Sequence, residues 1–337
     1  MKALVINKPG ELQVKDLSTP AIAADEVLVR MRAVGICHSD YELYSGKYII
    51  PIAYPVTPGH EWAGEIVETG KAVGGLKSGD RVVGECVIES GEKIDHFGFS
   101  IDGAYSQLFK ARPEWLHKLP DAMSFQAGAL VEPFTCGYYA IEGNGRTNAS
   151  ETVVVSGGGN IGLCAAAAAL GMGARVILVD PLPMRRAAAE KIGIDTTVDP
   201  PAGDAVAKVL ELTGGKGADL VIEASGHDSS LASVLDYARI GGRVTFVGIS
   251  IGRKIPVELG KIQGKENANF AASAGAVATE LVIVGRTNAR SLRKGASSAG
   301  LPARDVRHLA QAVAWVSANL GPGDAVLYEN DLPDHYP

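Results

Sequence analysis

Residues 156–180, SGGGNIGLCAAAAALGMGARVILVD, constrain the fold more than any other stretch of the chain. They predict the end of a strand, a glycine turn, an alanine-rich helix and a second strand that ends at Asp180. In this pattern Gly157 allows a tight turn, Gly159 lets the backbone approach a pyrophosphate, and Gly162 lets the helix lie close to the strand. The stretch therefore predicts a dinucleotide site in which the phosphates face a helix N-terminus.

Asp180 follows the glycines by about 20 residues, where this fingerprint has an acid. An acid there accepts hydrogen bonds from the adenosine ribose and repels a 2′-phosphate, which favours NAD over NADP. Arg185 is close enough in sequence to weaken that preference, although it also fits a solvated helix face. The alternative interpretation of the glycines is that they only punctuate a packed turn. The predicted cofactor-binding residues are Gly157, Gly159, Asn160, Ile161, Gly162, Asp180, Arg185 and Val247.

Length and composition narrow the class of protein. A chain of 337 residues is long for one hydrophobic core, so two domains are expected. The 46% of hydrophobic and 21% of charged residues are typical of a soluble globular protein, and a net charge of −6 predicts neither a nucleic-acid nor a membrane partner. No signal peptide is expected, and no apolar run reaches the roughly 18 residues of a membrane span. Four scattered cysteines predict no disulfide framework, which favours the reducing cytoplasm.

The rhythm of apolar segments changes along the chain. Short strands separated by Gly and Pro recur over roughly the first 110 residues, which predicts a β-barrel-like domain. From Glu151 strands alternate with helices, which predicts a parallel sheet with helices on both faces, the doubly wound Rossmann arrangement. The apolar segment 280–286 is expected to add a strand to that sheet. The predicted domains of this α/β chain are 1–145 (β-barrel-like), 146–290 (dinucleotide-binding) and 291–337 (an atypical C-terminal segment).

Three separate segments of the first domain carry residue types that bind metals. They are Cys37 in GICHSD, His60 and Glu61 in TPGHEWAGE, and Glu132 in ALVEPF. A thiolate, an imidazole and a carboxylate suit a catalytic zinc, which takes three protein ligands and keeps one position open. Each residue alone also has a structural interpretation, as a small core thiol, a turn histidine or a surface acid. Their combination with a nucleotide fold predicts a metal site.

Residues 1 to about 262 resemble the medium-chain zinc-dependent alcohol and polyol dehydrogenases, the family of sorbitol and threonine dehydrogenases. The resemblance rests on the motifs G-I-C-H-S-D, G-H-E-x-x-G-E, G-D-R-V, V-E-P and G-G-G-N-I-G, in that order along the chain. It implies a chaperonin-10-like catalytic domain joined to a Rossmann domain. It also implies hydride transfer from a secondary alcohol, a polyol or a sugar derivative, to NAD, which gives the ketone. Which alcohol is used, and whether the protein is a homodimer or a homotetramer, stays open.

The resemblance also assigns roles to individual residues. Glu61 is the acid that can join or exchange at the metal, so the third ligand of the resting enzyme is either Glu61 or Glu132. Ser39 falls at the hydroxyl that receives the alcohol proton, and Asp40 falls behind the metal site. Where the family often has a histidine to finish this proton relay, the chain has Glu42. The implied catalytic residues are Cys37, Ser39, His60 and Glu61, and the implied metal ligands are Cys37, His60, Glu61 and Glu132.

Two departures from the family pattern limit what the resemblance implies. Residues 85–107 contain one cysteine, Cys86, so we expect a single catalytic zinc and no structural zinc held by four cysteines. From about Glu266 the chain instead resembles the end of a Mur-type amide ligase. Ligase activity is not expected, because the sequence has no G-x-x-x-x-G-K-[ST] loop. Whether this C-terminus completes the nicotinamide pocket stays open. The alternative functions are a zinc-free NAD(P)H enone or quinone reductase and a nucleotide-binding protein that has lost catalysis.

Overall fold

The computed structural model describes residues 1–90, 93–200, 204–248, 278–284 and 289–320, and within them the chain divides into two units. The first unit contains Met1–Arg146 and Gly158–Gly171. The second unit contains Thr147–Gly157, Met172–Gly248 and the described residues after 277.

Antiparallel strands form the framework of the first unit. Their bounds are β1 Lys2–Lys8, β2 Glu11–Asp16, β3 Val27–Val34, β4 Trp62–Thr69, β5 Arg81–Gly84, β6 Val87–Ser90, β7 Lys93–His96, β8 Leu108–Ala111 and β9 Leu116–Lys118. Five of them form a sheet in the order β8-β3-β4-β5-β9, while β1 pairs with β2 and β6 pairs with β7. Side chains alternate along each strand, so Val27 and Val29 reach the core with Ile66 and Phe109. This architecture confirms the predicted β-barrel-like fold.

Helices of the first unit lie between and after these strands. Their bounds are α1 His38–Ser45, α2 Phe125–Ala129, α3 Val131–Tyr139 and α4 Asn160–Gly171. The N-terminus of α2 is capped by Ser124, whose Oγ accepts a hydrogen bond from the backbone N–H of Ala127 at 3.1 Å. Helix α3 packs closely on α4 because Gly137 has no side chain: a Cβ there would lie 2.5 Å from the backbone nitrogen of Ala165.

The second unit contains a five-stranded parallel sheet. Its strands are β10 Thr152–Ser156, β11 Arg175–Val179, β12 Thr197–Val198, β13 Ala218–Glu223 and β14 Ala238–Phe246, and its helices are α5 Pro183–Lys191, α6 Ala205–Leu212 and α7 Asp228–Tyr237. The strand order is β12-β11-β10-β13-β14. Continuous apolar runs such as residues 153–155 are fully buried, as expected for a sheet covered on both faces. The direction of winding reverses between β10 and β13, where ligands bind in such folds. The predicted doubly wound sheet is confirmed.

The C-terminal described residues form a small sheet of their own. Its elements are β15 Leu281–Val284, α8 Ala289–Ser298, β16 Ala303–Val306 and α9 Leu309–Asn319. Within the described ranges β15 pairs in parallel with β16 and not with β14, so the described part of the segment 280–286 belongs to a separate sheet, and residues 285–286 lie outside the described residues. The strand has its own apolar partners, since Leu281 packs with Ala296 and Leu301. Parts of the stretch after Glu266 lie outside the described residues. No helix in the described part of the chain is both long and apolar enough to cross a membrane.

Candidate active site

Cys37 stands at the N-cap of α1, three residues after the end of β3 at Val34. Its backbone is extended, and its N–H donates a hydrogen bond to Asp40 Oδ2 at 3.0 Å. Asp40 is the acid in the first turn of the helix, where a carboxylate satisfies a backbone donor and interacts favourably with the helix dipole. The thiol is therefore held at a fixed point in the first unit.

His60 and Glu61 end a loop that a neighbouring segment braces. The N–H of Thr57 donates to Asp102 Oδ1 at 2.8 Å, and its carbonyl accepts from the N–H of Gly103 at 2.7 Å. The carbonyl of Gly59 accepts from the N–H of Ala104 at 2.8 Å. Gly59 has a φ of +100°, a conformation that favours glycine, and this turn leads directly into His60.

Cys37, His60 and Glu61 converge on one point. One ligand atom of each lies within 4.8 Å of the others. His60 and Glu61 are buried, with 4% and 2% of their surface exposed, and Cys37 is half-buried. Sulfur, nitrogen and oxygen donors in a buried cluster are a ligand set that zinc accepts. The three residues therefore fit the metal that the sequence predicts.

The carboxylate of Asp40 faces the imidazole of His60. Its Nδ1 lies 3.7 Å from Asp40 Oδ1, and among the described residues neither atom has a hydrogen-bond partner. A carboxylate on one ring nitrogen of a histidine is the usual support for a metal on the other nitrogen. This arrangement leaves Nε2 of His60 available as the ligand atom.

The electrostatics of the cluster favour a bound cation. Burial raises the pKa of the Cys37 thiol, although hydrogen bonds from Ser39 oppose the shift, and burial lowers the pKa of His60. Burial also raises the pKa of Glu61, and the nearby charge of Asp40 adds to that shift. The Cys37 thiol and the Glu61 carboxyl therefore both ionise less readily than usual. A divalent cation bound between them would stabilise their charged forms.

Glu132 lies in the first turn of α3 and is half-buried. Burial, together with the charges of Glu61 and Asp40, raises its pKa to about 7. Its carboxylate is not part of the group whose ligand atoms lie within 4.8 Å of one another. Of the two acids that the sequence left open as third ligand, Glu61 is therefore the one beside Cys37 and His60.

The other residues expected near the metal also belong to the first unit. Ser39 Oγ is buried beside the Cys37 thiol. Glu42 is mostly buried, and its Oε1 lies 3.8 Å from Nε2 of the exposed His38. Sequence reasoning missed Tyr105, whose hydroxyl lies 2.7 Å from Asp40 Oδ2 and 2.9 Å from the carbonyl of Gly35. No local pattern marks it, because its partners are about seventy positions away in the sequence.

The glycine turn has the openness that a dinucleotide requires. Gly157 has a φ of +106°, and a Cβ there would lie 2.8 Å from Ser225. A Cβ on Gly159 would meet no atom within 4 Å, so the backbone there is open to a ligand. In α4, Asn160 is exposed, Ile161 is half-buried and Gly162 is buried. These residues fit the predicted pyrophosphate turn.

Asp180 is buried at the end of β11. Its Oδ1 accepts a hydrogen bond from the N–H of Leu182 at 2.8 Å, and its Oδ2 lies 3.3 Å from Nη1 of Arg185. Arg185 thus pairs with the acid rather than lying free on a solvated helix face. Val247, the last predicted cofactor residue, is half-buried and donates its N–H to the carbonyl of Glu223 at 2.8 Å.

An antiparallel unit with a sulfur–nitrogen–oxygen metal cluster and a unit with a parallel nucleotide-binding sheet define a zinc-dependent dehydrogenase. Residues 23–121 match the alcohol dehydrogenase GroES-like domain, and residues 160–281 match the zinc-binding dehydrogenase domain. The second match extends beyond residue 262, where the resemblance read from the sequence ends. The chain belongs to the zinc-type alcohol and sorbitol dehydrogenase family and is an oxidoreductase.

Individual relatives and solved structures that the chain resembles are also dehydrogenases. Sorbitol dehydrogenase of Bacillus subtilis is 33% identical over 285 residues, which cover 79% of this chain and 80% of the relative. Sorbitol dehydrogenase of Rattus norvegicus is 30% identical over a stretch that covers 73% of this chain and 74% of the relative. The structure of 2R,3R-butanediol dehydrogenase from Bacillus subtilis is 28% identical, superposes with a TM-score of 0.73, and covers 88% of this chain and 95% of its own. The structure of a candidate zinc-binding dehydrogenase from Sinorhizobium meliloti 1021, solved with NADP, is 27% identical and superposes with a TM-score of 0.75. The match covers 91% of this chain and 97% of that one.

Proposed function

We propose that the protein oxidises a secondary alcohol group of a polyol or sugar derivative to the ketone, with NAD as hydride acceptor and zinc as the metal. The observation that carries the proposal is the buried cluster of Cys37, His60 and Glu61. The sorbitol dehydrogenases among its relatives support the substrate class. A small-molecule alcohol is then the partner of the reaction.

The metal site assigns a task to each of its residues. Cys37, His60 and Glu61 hold the zinc in this proposal, and Glu132 is the neighbouring acid that can exchange with Glu61. When bound, zinc supplies a Lewis acid that lowers the pKa of the alcohol hydroxyl. Ser39 Oγ would accept the hydroxyl proton while its own hydroxyl proton passes on through the ribose of the coenzyme. Asp40 keeps the imidazole of His60 in its ligand orientation.

The glycine turn and Asp180 bind the coenzyme in this proposal. Gly157, Gly159 and the start of α4 at Asn160, Ile161 and Gly162 receive the pyrophosphate. Asp180 accepts hydrogen bonds from the adenosine ribose, which favours NAD over NADP. Arg185 holds the carboxylate of Asp180, and Val247 lies where the nicotinamide half is expected. The bound coenzyme supplies the acceptor for the hydride.

Further parts of the proposal concern the whole chain. We propose one catalytic zinc and no structural zinc per chain, a homodimer or homotetramer, and a cytoplasmic location. The proposed domains are residues 1–145, 146–290 and 291–337. To the segment from about Glu266 onward, for which the sequence suggested a likeness to the end of a Mur-type ligase, we assign no ligase activity.

Metal analysis and an alcohol screen test the proposed function. We expect about one zinc per chain and NADH formation with at least one alcohol in a panel of polyols and secondary alcohols. Cys37→Ser should lose zinc and activity together, because it removes the thiolate ligand. Cys86→Ser, a half-buried thiol outside the cluster, is the matched control and should keep both. A zinc-free wild type, or full activity in Cys37→Ser, would contradict the proposal.

A further inference from the structure

Glu223 is a buried carboxylate to which the proposed reaction assigns no role. It is the last residue of β13, and 0% of its surface is exposed. A buried charge is costly unless hydrogen bonds replace the water that it loses. The presence of this acid at the carboxyl end of a central strand therefore calls for a compensating arrangement around it.

Neutral donors from the following loop provide that compensation. Glu223 Oε1 accepts hydrogen bonds from the N–H of Ser225 at 3.0 Å, from its hydroxyl at 2.6 Å and from the hydroxyl of Ser230 at 2.8 Å. The N–H of Gly226 lies 3.2 Å from both carboxylate oxygens. Several donors on one ionised acceptor fix the loop 224–226 and the start of α7 against the end of β13.

The same residue joins the ends of three neighbouring strands. Its carbonyl accepts from the N–H groups of Val247 and Gly248, both at 2.8 Å, just after β14. On the other side, the hydroxyl of Ser230 lies 2.7 Å from that of Ser156, the last residue of β10. The packing leaves no space at Gly248, where a Cβ would lie 2.3 Å from Glu223 Oε2.

The loop that Glu223 holds lies directly against the glycine turn. A Cβ on Gly157 would lie 2.8 Å from both the backbone nitrogen and the Cβ of Ser225. Ser225 thus forms the surface on which the turn rests, and its position is set by two hydrogen bonds to Glu223. A movement of Ser225 changes the path of Gly157 and of the N–H groups that follow it.

We propose that Glu223 is a positioning residue for the coenzyme, which holds Ser225 against Gly157 and thereby sets the turn that receives the pyrophosphate. The inference rests on the proposed function, because it takes that turn to be the dinucleotide site. Glu223 touches no reacting atom in this role and acts through Ser225.

Binding of ADP-ribose to the full-length protein, measured by calorimetry, tests the proposal separately from catalysis. Glu223→Gln removes the negative charge and puts an amide donor at one of the two oxygen positions, where the N–H of Gly226 also donates, so the hydrogen bonds that hold Ser225 and Gly226 weaken. We expect the affinity for ADP-ribose to fall about tenfold.

Asp219→Asn is the matched control. Asp219 lies at the opposite end of the same strand, where it accepts from the N–H of Thr152 and from Arg239. This variant should lose thermal stability, yet its affinity for ADP-ribose should stay within about twofold of the wild type, because the glycine turn is at the other strand end.

The affinities of the two variants for ADP-ribose decide between the proposed role of Glu223 and a merely structural one. Equal affinity of Glu223→Gln and wild type, or an equal loss in Glu223→Gln and Asp219→Asn, would overturn the inference. If Glu223→Gln does not fold, Ser230→Ala removes one donor and leaves the carboxylate in place; a loss of about threefold is expected, and none would overturn the inference. A wild type that binds neither ADP-ribose nor NADH contradicts the proposed function itself, whereas a wild type that binds while the variants bind equally well contradicts this inference alone.

Discussion

Tyr105 connects the two loops that carry the predicted metal ligands. Its hydroxyl lies 2.7 Å from Asp40 Oδ2, and its ring packs where a Cβ on Gly59 would lie 2.7 Å from Cδ1. Asp40 in turn faces His60. The phenol of Tyr105, the carboxylate of Asp40 and the imidazole of His60 thus form a chain of neighbouring groups that ends at the proposed metal position. Supporting residues of this kind fix the orientation of a metal ligand.

Tyr105→Phe should therefore weaken zinc binding. Without the hydroxyl, Asp40 keeps its bond from the N–H of Cys37 but loses its second donor, and we expect zinc affinity to fall about tenfold. Competition with a chromophoric chelator measures this change. Tyr54→Phe is the control, because the hydroxyl of Tyr54 donates to the carbonyl of Leu43 at 2.6 Å on the same helix. Equal zinc affinity in both variants would refute the role given to Tyr105.

Asp180 controls the choice between NAD and NADP in the proposed function. Its replacement by serine removes the charge that repels a 2′-phosphate and releases the guanidinium of Arg185, which lies 3.3 Å from Oδ2. We expect the ratio of kcat/KM for NADP over NAD to rise at least about tenfold in Asp180→Ser. Asp199→Ser, which removes the carboxylate paired with Arg186, should leave the ratio unchanged. An unchanged ratio in Asp180→Ser would show that this acid does not read the ribose.

At the scale of elements, β13 carries a carboxylate at each end. Asp219 is the second residue of the strand. Its Oδ2 accepts a hydrogen bond from the N–H of Thr152 at 2.8 Å, and its Oδ1 accepts one from Nε of Arg239 at 2.6 Å. Burial raises its pKa, but these hydrogen bonds and the charge of Arg239 outweigh that effect, so the pKa lies below its usual 3.8. A lowered pKa means that the ionised acid stabilises the fold.

Asp219→Asn should therefore lower stability in a pH-dependent way. The stabilisation is present above the unfolded-state pKa of about 4 and is lost as the pH falls through the lower folded-state pKa. At pH 7 we expect a melting temperature about 2–4 °C below that of the wild type, and a smaller difference near pH 3. Thermal melts from pH 3 to 7 measure this gap. Glu211→Gln, which breaks an exposed ion pair with Lys208, should change the melting temperature little. If the melting-temperature difference between Asp219→Asn and the wild type did not depend on pH, the role given to Asp219 would be refuted.

The extent to which elements follow from sequence depends on whether their partners are local. The stretch 156–180 contains its own strand, turn and helix signals, and β10, α4 and β11 form there. The segment 280–286 has equally clear strand periodicity, yet periodicity does not say which strand it pairs with. Its partner is β16, which lies about twenty residues further along the chain. Pairing depends on packing at Leu281 and Leu301 that no local window contains.

The same limit applies to the candidate site. The order of the motifs indicates four candidate metal ligands, Cys37, His60, Glu61 and Glu132. In the structure one ligand atom of each of the first three lies within 4.8 Å of the others. The choice between Glu61 and Glu132 depends on how α3 approaches the loop that ends at Glu61. That approach is set in turn by helix contacts such as Gly137 on α4, which the sequence alone does not resolve.

At the scale of the whole molecule, the two units separate the zinc site from the main sheet. The proposed zinc ligands all lie in the first unit, whereas Asp219 lies in the second. A ligand that binds only the folded form stabilises the unit that holds it, by about 2.7 kcal/mol at a hundredfold excess over its dissociation constant. Zinc and the Asp219 bonds should therefore stabilise different cooperative units.

Calorimetry should resolve these two contributions. Removal of zinc with a chelator is expected to lower one unfolding transition, and readdition of zinc should restore it. Asp219→Asn should lower the other transition, and the two effects should add when the variant is also stripped of zinc, because sites that share no partners act independently. Cys37→Ser should behave like the stripped wild type and should not respond to zinc. A single transition that shifts equally with zinc removal and with Asp219→Asn would mean that the two units unfold as one.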